Sequence, residues 1–370
     1  MSSPLKALDI PSFLKEAVSS GEFPGGVVLI ADGPASYRMW AYGERVSSPR
    51  SLPVVEDTIF DLASLTKPLI TSLLFVLLMR RGFFSLDETI SRFLPQFGGG
   101  EKGKITLQQL LTHTGGFAPW LPLYLLAPSR EEAVSVIRSH PLSSPPGEKV
   151  IYSCLGYILL GFIIEKASGS SLSQLASELI FHPLSLKRTF FPPPRVIREE
   201  IAATEIGRTY EREKSSKFLS DDSVFPFPNE LVWGEVHDGN ARFLGGVAGN
   251  AGLFSTAYEV FLIAREFLGW GKLLSSWERD LFFTDLSPEL NEARSLGFRL
   301  TRGEDDLPFS ILSPLSAYHT GFTGTSLFID QSNRFIVVFL TNRIHPRVPE
   351  RPFEQMRRKL LRLARDYLAH

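Results

Sequence analysis

The residues of this sequence best suited to chemistry are Ser64 and Lys67, in the stretch Ser64-Leu65-Thr66-Lys67. An extended run, 57–62, ends just before them, and an apolar run typical of a helix follows from Pro68 to Met79. Residues three apart in a helical turn share one face, so the lysine can take the serine proton if burial or a nearby cation lowers its pKa. The backbone N–H of Ser64, at the positive end of the helix, can stabilise an oxyanion. The stretch therefore predicts an activated nucleophile with half of an oxyanion-binding site.

The serine–lysine spacing alone is weak evidence for a catalytic pair, because Ser12 and Lys15 have the same spacing. That second copy lies in the segment 5–19, whose apolar residues predict an N-terminal helix, and no strand precedes it. We interpret Lys15 as a surface residue. The copy at Ser64 therefore needs partners elsewhere in the chain.

Two further segments could supply those partners. The phenol of Tyr152 could pass a proton to a leaving group; a half-buried tyrosine heading an apolar helix is the alternative. The run 319–330 is rich in β-forming residues, and its glycines, Gly321 and Gly324, indicate a close backbone approach, often to a ligand. An edge strand here could offer the N–H of Phe322 as the second oxyanion donor.

Together these residues resemble the serine β-lactamase and penicillin-binding protein superfamily, and most closely its class C branch with the related carboxylesterases and D-peptidases. The resemblance covers nearly the whole chain and is carried by the segments 60–67, 85–95, 105–117 and 245–256. It implies that Ser64 is the acylated nucleophile, that Lys67 is its base partner and that Tyr152 moves protons. It also matches His319-Thr320-Gly321 to the family's Lys-Thr-Gly strand. No cofactor or metal is expected.

Two positions depart from the family pattern, and both affect substrate recognition. Cys154 stands where the family often has an asparagine, whose amide both donates and accepts hydrogen bonds. His319 stands where β-lactamases have a lysine, and a histidine is mostly neutral above a pKa of about 6.5. We expect Cys154, His319, Thr320 and Gly321 to contact the substrate. We also expect the site to recognise β-lactams and peptides poorly.

Two other segments have open interpretations. The resemblance implies that Asn342 and Arg343, after the last strand, contact a substrate carboxylate; a strand-capping turn is the alternative. His237 and Asp238 could be a metal pair, but no other ligand spacing lies nearby, so a pocket wall is the better interpretation. His113 lies in a turn and is interpreted as structural.

The elements that must position these residues indicate an α/β (α+β) fold, with an antiparallel sheet flanked by N- and C-terminal helices and an inserted, mainly helical domain. We expect a sheet domain from 1–82 and 280–370, a helical domain from 83–279, and the active site between them. Segments 26–31 and 37–41 predict a hairpin around Asp32-Gly33. The remaining predicted elements are strands at 297–300, 326–330 and 335–341, a long irregular loop at 203–233 and a final helix at 353–368.

Composition narrows the class of protein. Lys plus Arg number 39 against 40 Asp plus Glu, which argues against nucleic-acid or anionic-membrane binding. The single cysteine, Cys154, excludes an internal disulfide framework. The start of the chain lacks a signal-peptide pattern, and the apolar run 69–79 is too short to span a bilayer. We therefore expect a cytoplasmic enzyme that acts on small molecules.

These observations predict a serine hydrolase that forms an acyl-enzyme. A carboxylesterase acting on small esters is favoured. A β-lactamase or D-amino-acid peptidase or amidase of the same fold is the alternative, and a non-catalytic binding relative is a more remote one. The sequence has no G-x-S-x-G motif, which removes the α/β-hydrolase elbow from consideration. The oligomeric state is left open.

Overall fold

The computed structural model describes residues 9–219, 225–302, 309 and 311–369. Its strands are β1 Gly25–Ala31, β2 Tyr37–Val46, β3 Leu52–Pro53, β4 Phe60–Asp61, β5 Phe254–Ser255, β6 Arg299–Leu300, β7 Ala317–Thr320, β8 Ser326–Asp330 and β9 Phe335–Thr341. Its α-helices are α1 Ile10–Ser19, α2 Leu73–Met79, α3 Ile90–Phe93, α4 Leu107–Leu111, α5 Leu123–Leu126, α6 Ala133–Ser139, α7 Cys154–Ser168, α8 Leu172–Ala176, α9 Thr209–Ser215, α10 Gly239–Phe243, α11 Ala257–Phe267, α12 Ser276–Asp280 and α13 Glu354–Leu368.

Seven strands form one antiparallel sheet in the order β3-β2-β1-β9-β8-β7-β6. Alternate side chains of a strand point to opposite faces, and β1 is apolar on both. Val27 and Leu29 belong to one apolar cluster, whereas Val28 and Ile30 belong to another. The sheet is therefore the middle layer of the fold.

Helices cover both faces of this sheet. The smaller cluster packs β1, β8 and β9 against α1 and α13. The larger cluster packs the opposite face against buried residues of α2, α7 and α11. A second, two-stranded sheet pairs β4 with β5, and β4 leads directly into Ser64. The predicted arrangement of an antiparallel sheet between terminal helices and a helical region is confirmed.

Several local predictions need correction. The loop expected at 203–233 contains α9, and residues 220–224 lie outside the described part. The strand expected at 297–300 is shorter than predicted, because β6 covers only Arg299–Leu300. The first helix begins at Ile10, and residues 1–8 are also outside the described part. The division into two domains stays a prediction.

The helical segment that contains Ser64 is less regular than expected. A 3₁₀ turn covers Ala63–Leu65, π-helical turns cover Lys67–Ser72, and regular α-helix begins only at α2. Irregular turns of this type are common at functional sites. Within the described ranges, no helix has the length and apolar character needed to cross a membrane.

Candidate active site

Ser64 is held at a strained turn between β4 and the following helix. Ala63 has a φ of 47°, a left-handed value that is costly for a residue other than glycine. The buried carboxylate of Asp61 accepts a hydrogen bond from Ala63 N at 2.8 Å and another from His237 N at 2.8 Å. Asp61 therefore ties the nucleophile turn to the Val236-His237-Asp238 segment.

The Lys67 amine reaches the Ser64 hydroxyl, as the spacing predicts. Lys67 Nζ lies 3.0 Å from Ser64 Oγ, and the lysine side chain is fully buried. The amine also donates to the backbone carbonyl of Asn250 at 3.0 Å and lies 3.7 Å from Cys154 Sγ. Its position is thus fixed from three sides.

The charge state of Lys67 depends on its neighbours. Burial lowers the pKa of its ammonium, but electrostatic interactions with Cys154, Tyr152 and Asp238 and a hydrogen bond with Tyr152 raise it, and the net direction is upward. The serine–lysine spacing predicts proton transfer if the pKa of Lys67 is lowered, whereas in the structure that pKa is raised. A proton taken from Ser64 is consequently held well by Lys67 once it has arrived.

Tyr152 lies beside the same amine. Lys67 Nζ is 5.0 Å from the centre of the Tyr152 ring. Burial raises the pKa of the phenol, while the charge of Lys67 and hydrogen bonds with Lys67 and Ser64 act in the opposite direction. A phenol that contacts both nucleophile and base, and that stays protonated at neutral pH, can donate a proton to a leaving group.

This arrangement predicts the pH dependence of turnover. The neutral amine of Lys67 accepts the serine proton, and its raised pKa keeps that form scarce at neutral pH. We expect kcat/KM for a neutral ester to rise into the alkaline range. Replacing Cys154 by alanine removes the sulfur that accepts from Lys67 Nζ at 3.7 Å and should move the midpoint of this rise to lower pH. A pH–rate series on the two proteins measures the shift, and an unmoved midpoint contradicts the coupling.

The second predicted oxyanion donor is brought next to the first. The turn after β7 is attached to β4 by two hydrogen bonds, from Thr323 Oγ1 to Asp61 O at 2.7 Å and from Thr325 Oγ1 to Leu62 O at 3.0 Å. No hydrogen bond to another described residue occupies Ser64 N or Phe322 N. Both donors are therefore available to an oxyanion.

Gly321 permits this close contact. A Cβ at position 321 would lie 2.1 Å from Thr325 Oγ1 and 2.7 Å from Leu62 O, so any side chain would separate the turn from β4. Arg357 of α13 holds the turn from the other side. Its guanidinium donates to Ser326 Oγ at 2.6 Å and to the carbonyls of Gly321 and Thr325 at 3.3 Å each.

His319 is buried and uncharged at neutral pH. Burial and the positive charges of Lys67 and Arg294 hold the pKa of its imidazole well below the usual value. Since Nδ1 faces the carbonyl of Thr320 at 3.0 Å, it carries the proton of the neutral ring. Nε2 has no partner among the described residues. A neutral His319 does not supply the fixed cation that the family's lysine would provide at this position.

Arginines supply positive charge beside His319 instead. A cleft of about 510 Å³ reaches Ser64 and Tyr152 and contains His319, Thr320 and Gly321 in its wall. Four guanidinium-bearing residues also line it, namely Arg294, Arg299, Arg343 and Arg357. Arg294 is buried, donates to Glu292 and lies 5.8 Å from the Tyr152 ring centre. The cleft is therefore suited to an anionic group next to the reacting bond.

A smaller compartment of about 210 Å³ lies on another side of Ser64. Cys154 is in its wall, as are the aromatic residues Trp120, Tyr210 and Phe322. Glu211 and Asp238 add carboxyl groups, and burial together with the charge of Asp238 raises the pKa of Glu211 to about 7. This compartment has room for a small acyl group.

His237 lines the smaller compartment. Its Nε2 lies 2.9 Å from Glu205 Oε2, and its ring stacks on Phe322. Across the described ranges, no group of three histidine, cysteine or acidic side chains is placed to hold a metal ion. The pocket-wall interpretation fits this position. His113 accepts a hydrogen bond from Ser153 N at 3.1 Å, which fits its structural interpretation.

The substrate contact predicted for Asn342 needs correction. Its side chain accepts from Gly25 N at 3.1 Å and donates to Glu44 O at 3.2 Å and Arg45 O at 3.0 Å. These bonds use the amide to join β1, β2 and β9, which is the strand-capping alternative. Only Arg343 of this pair lines the cleft.

Three residues that contribute to this site could not be identified from the sequence alone: Asn250, Arg294 and Arg357. Asn250 sits inside the glycine-rich segment 245–256 and uses a backbone carbonyl, which residue type does not reveal. Arg357 looks like any other cation of a basic amphipathic helix. Arg294 precedes β6, and only the fold brings it to Tyr152.

Comparison with known proteins agrees with this architecture. The model of the Beta-lactamase family matches residues 10–360. The chain is 32% identical over 369 residues to a putative D-alanyl-D-alanine carboxypeptidase of Escherichia coli K12, covering 91% of this chain and 82% of the relative. It is 34% identical over 339 residues to a protein of the same description from Salmonella enteritidis, covering 83% and 76%.

Solved structures show the same fold at lower identity. EstCE1, described as a hydrolase with promiscuous acyltransferase activity, superposes with a TM-score of 0.72 at 20% identity, covering 94% of this chain and 96% of that one. A class C β-lactamase from Rhodobacter sphaeroides superposes with a TM-score of 0.70 at 21% identity, covering 96% and 98%. On the family match and the extent of the curated relatives, the chain belongs to the Beta-lactamase family.

Proposed function

We propose that this protein is a serine acyl hydrolase that cleaves small esters or amides bearing a carboxylate beside the scissile bond. Ser64 attacks the carbonyl carbon while its proton passes to Lys67. The N–H groups of Ser64 and Phe322 hold the oxyanion, and Tyr152 delivers a proton to the leaving group. Water then releases the acyl group from Ser64. The contact of Lys67 with Ser64 at 3.0 Å supports the nucleophilic step.

The observation that carries the substrate class is the guanidinium-lined cleft. Arg294 lies next to Tyr152, so an anion bound there sits close to the group that receives the proton. A guanidinium can bind a carboxylate with two parallel hydrogen bonds, which fixes both position and orientation. Because His319 is neutral, the arginines take over the role that a lysine would have at that position.

The curated relatives favour an amide among the possible bonds. They are described as putative D-alanyl-D-alanine carboxypeptidases, whose substrates end in a carboxylate. This description supports a peptide substrate with a free C-terminal carboxylate.

A small carboxylic ester is the second candidate, and Cys154 favours it. An asparagine amide can both donate a hydrogen bond to an acylamino group and accept one from it, whereas a thiol is a weak donor and a weak acceptor. Cys154 Sγ instead faces Lys67 in the smaller compartment. The acyl side is therefore less equipped for amide recognition than the leaving-group side is for an anion.

A substrate panel tests this proposal. Pairs of esters and amides with a free carboxylate or its methyl ester should show higher kcat/KM for the free acid. Dipeptides ending in D-alanine and a chromogenic cephalosporin complete the panel. Preference for the methylated partner in every pair contradicts the anion-binding assignment. Efficient cephalosporin cleavage with neglect of esters and peptides would favour a β-lactamase, and turnover of nothing in the panel would favour a binding relative.

The role of Arg294 gives a sharper prediction. A charge-assisted hydrogen bond contributes about 1.5–3 kcal/mol, so Arg294→Gln should lower kcat/KM for a carboxylate substrate by about 10–100-fold. The loss should be much smaller for the matching methyl ester. Arg347→Gln, which removes an exposed arginine, is the control. Equal losses on acid and methyl ester would mean that Arg294 does not bind the carboxylate.

A further inference from the structure

Asp238 is connected to the reacting groups through Asn250. Asn250 Nδ2 donates to Asp238 Oδ2 at 3.2 Å, and the backbone carbonyl of Asn250 accepts from Lys67 Nζ at 3.0 Å. Lys67 in turn contacts Ser64 Oγ at 3.0 Å. Four residues from three separate parts of the sequence thus form a continuous line that ends at the nucleophile.

The segment that contains Asn250 is fixed tightly against this line. Thr71, one turn after Lys67, donates to Gly249 O at 2.7 Å, so two successive carbonyls face the same side of the helix. A Cβ at position 249 would lie 2.0 Å from Tyr157 O, so only glycine allows the segment to approach α7 this closely. Small movements of Asn250 would therefore be transmitted to the Lys67 amine.

The orientation of the Asn250 amide depends on Asp238. The side chain is fully buried, and Oδ1 has no partner among the described residues. Turning the amide over would place Oδ1 against the Asp238 carboxylate, which accepts hydrogen bonds and cannot donate one when ionised. The Asn250 amide therefore keeps the orientation in which Nδ2 donates to Asp238, although Oδ1 then has no partner among the described residues. Asp238 Oδ1 is itself fixed by Ala241 N at 2.8 Å, at the start of α10.

We propose that Asp238 is a positioning residue for Lys67, which holds the Asn250 carbonyl in place and stabilises the ammonium formed when Lys67 takes the Ser64 proton. The proposed acylation step is unchanged: the Oγ–H bond breaks, the proton moves to Nζ, and Oγ bonds to the carbonyl carbon. Asp238 contributes its fixed negative charge and its hydrogen bond, and it touches no substrate atom that reacts. The inference rests on the proposed acyl-transfer mechanism.

Electrostatics agree with this geometry. The charge of Asp238 is among the influences that raise the pKa of Lys67 and of Glu211. The titratable or charged groups around Lys67 and Asp238 are Tyr152, Cys154, Tyr157, His113, His319, Arg294, Asp61, Glu211, Tyr124, His237 and Lys214. Of these groups, Asp238 is joined to the Lys67 amine through Asn250.

The test removes the charge and keeps the local structure. Asparagine and serine cap a helix about as well as aspartate, so Asp238→Asn and Asp238→Ser should leave α10 intact. At an intermediate effective dielectric constant, a carboxylate separated from an amine by one intervening residue raises the pKa of that amine by about one unit. We expect the midpoint of the alkaline rise in kcat/KM to move down by about one unit in both variants. The plateau value should fall by about tenfold, because the Asn250 carbonyl is held less firmly.

Two matched variants make the result decisive. Glu235→Gln removes a carboxylate three residues earlier, one that pairs with Arg242 and is half exposed, and should leave the midpoint in place. Asn250→Ala cuts the link without changing the charge, so kcat should fall with little change in KM. Adding Asp238→Asn to Asn250→Ala should cost less than the two single effects combined, since the residues act as one unit.

Failure of this inference can be told apart from failure of the proposed function. A midpoint that stays in place in folded Asp238→Asn or Asp238→Ser, with fully additive kinetic losses, overturns the role of Asp238 while Ser64 chemistry stands. If neither Asp238 variant folds, wild-type kcat in Asn250→Ala overturns it. Loss of acylation at Ser64 in the wild type would instead remove the mechanism on which the inference rests. Melting temperatures show which variants are folded, and therefore which of these comparisons applies.

Discussion

Replacing Ser64 by alanine should lower kcat for any hydrolysed substrate by about 10⁴–10⁶, the range found when a catalytic nucleophile is removed. The expected size follows from the position of Ser64 Oγ, 3.0 Å from the Lys67 amine. The N–H groups of Ser64 and Phe322 have no hydrogen-bond partner among the described residues. Removing the hydroxyl leaves the cleft and the two backbone N–H groups in place but takes away the atom that we propose to be acylated. Initial rates with a p-nitrophenyl ester measure the loss.

Ser12→Ala is the matched control for this experiment. Ser12 has the same spacing to Lys15, but it lies on the exposed side of α1 and has no place in the cleft. Its substitution should leave turnover within a factor of two. Substantial activity in Ser64→Ala would show that another group, with Cys154 the first suspect, carries the reaction.

Loss of the proton-transfer groups should have the second-largest effect. Lys67→Ala and Tyr152→Phe should each lower acylation or deacylation by about 10²–10⁴, the usual contribution of general acid–base groups. Their combined loss should be far less than the product of the single losses, because Lys67 and Tyr152 contact each other and the same nucleophile. Stopped-flow kinetics with an excess of enzyme separates the two steps.

The buried position of Lys67 calls for a folding control. Circular dichroism and thermal unfolding should show native secondary structure in each variant. Tyr157→Phe, which removes a second buried phenol, is the matched control for Tyr152→Phe. Tyr157 Oη donates to Leu111 O at 2.9 Å behind the site, so its loss should affect stability more than rate. Near-normal kinetics in Tyr152→Phe would reassign Tyr152 to the structural core.

The sequence was sufficient for features set by local spacing. The serine and lysine meet because residues three apart share a helical face, and this held although the turn is 3₁₀ and π rather than α. The hairpin of β1 and β2 followed from two apolar runs around a turn dipeptide. Strands β8 and β9 are likewise continuous apolar runs that bury both faces.

Features set by distant contacts could not be predicted in the same way. Helix α9 has little apolar periodicity, and its buried Glu211 accepts from Gly239 N instead of facing water. Asn342 looked like a ligand for substrate but is used by three backbone partners. In both cases a polar side chain is satisfied by a backbone group far away in sequence, which residue type alone does not show.

The electrostatics of the cleft depend even more on the assembled fold. A histidine in place of lysine at position 319 suggested a site that gains positive charge as the pH falls. In the structure, burial and the neighbouring cations keep His319 neutral, and arginines from the β6 region and from α13 provide the charge. The residues that we propose to decide substrate preference are thus ones that no motif identifies.

The most direct test of the account is the mass of the protein after reaction with a slowly hydrolysed ester or an acylating phosphonate, followed by peptide mapping. We expect one adduct per chain, on the peptide that contains Ser64, formed faster at alkaline pH and absent from Ser64→Ala. Labelling confined to Cys154, or no adduct under conditions in which the substrate is turned over, would contradict an acyl-enzyme on Ser64.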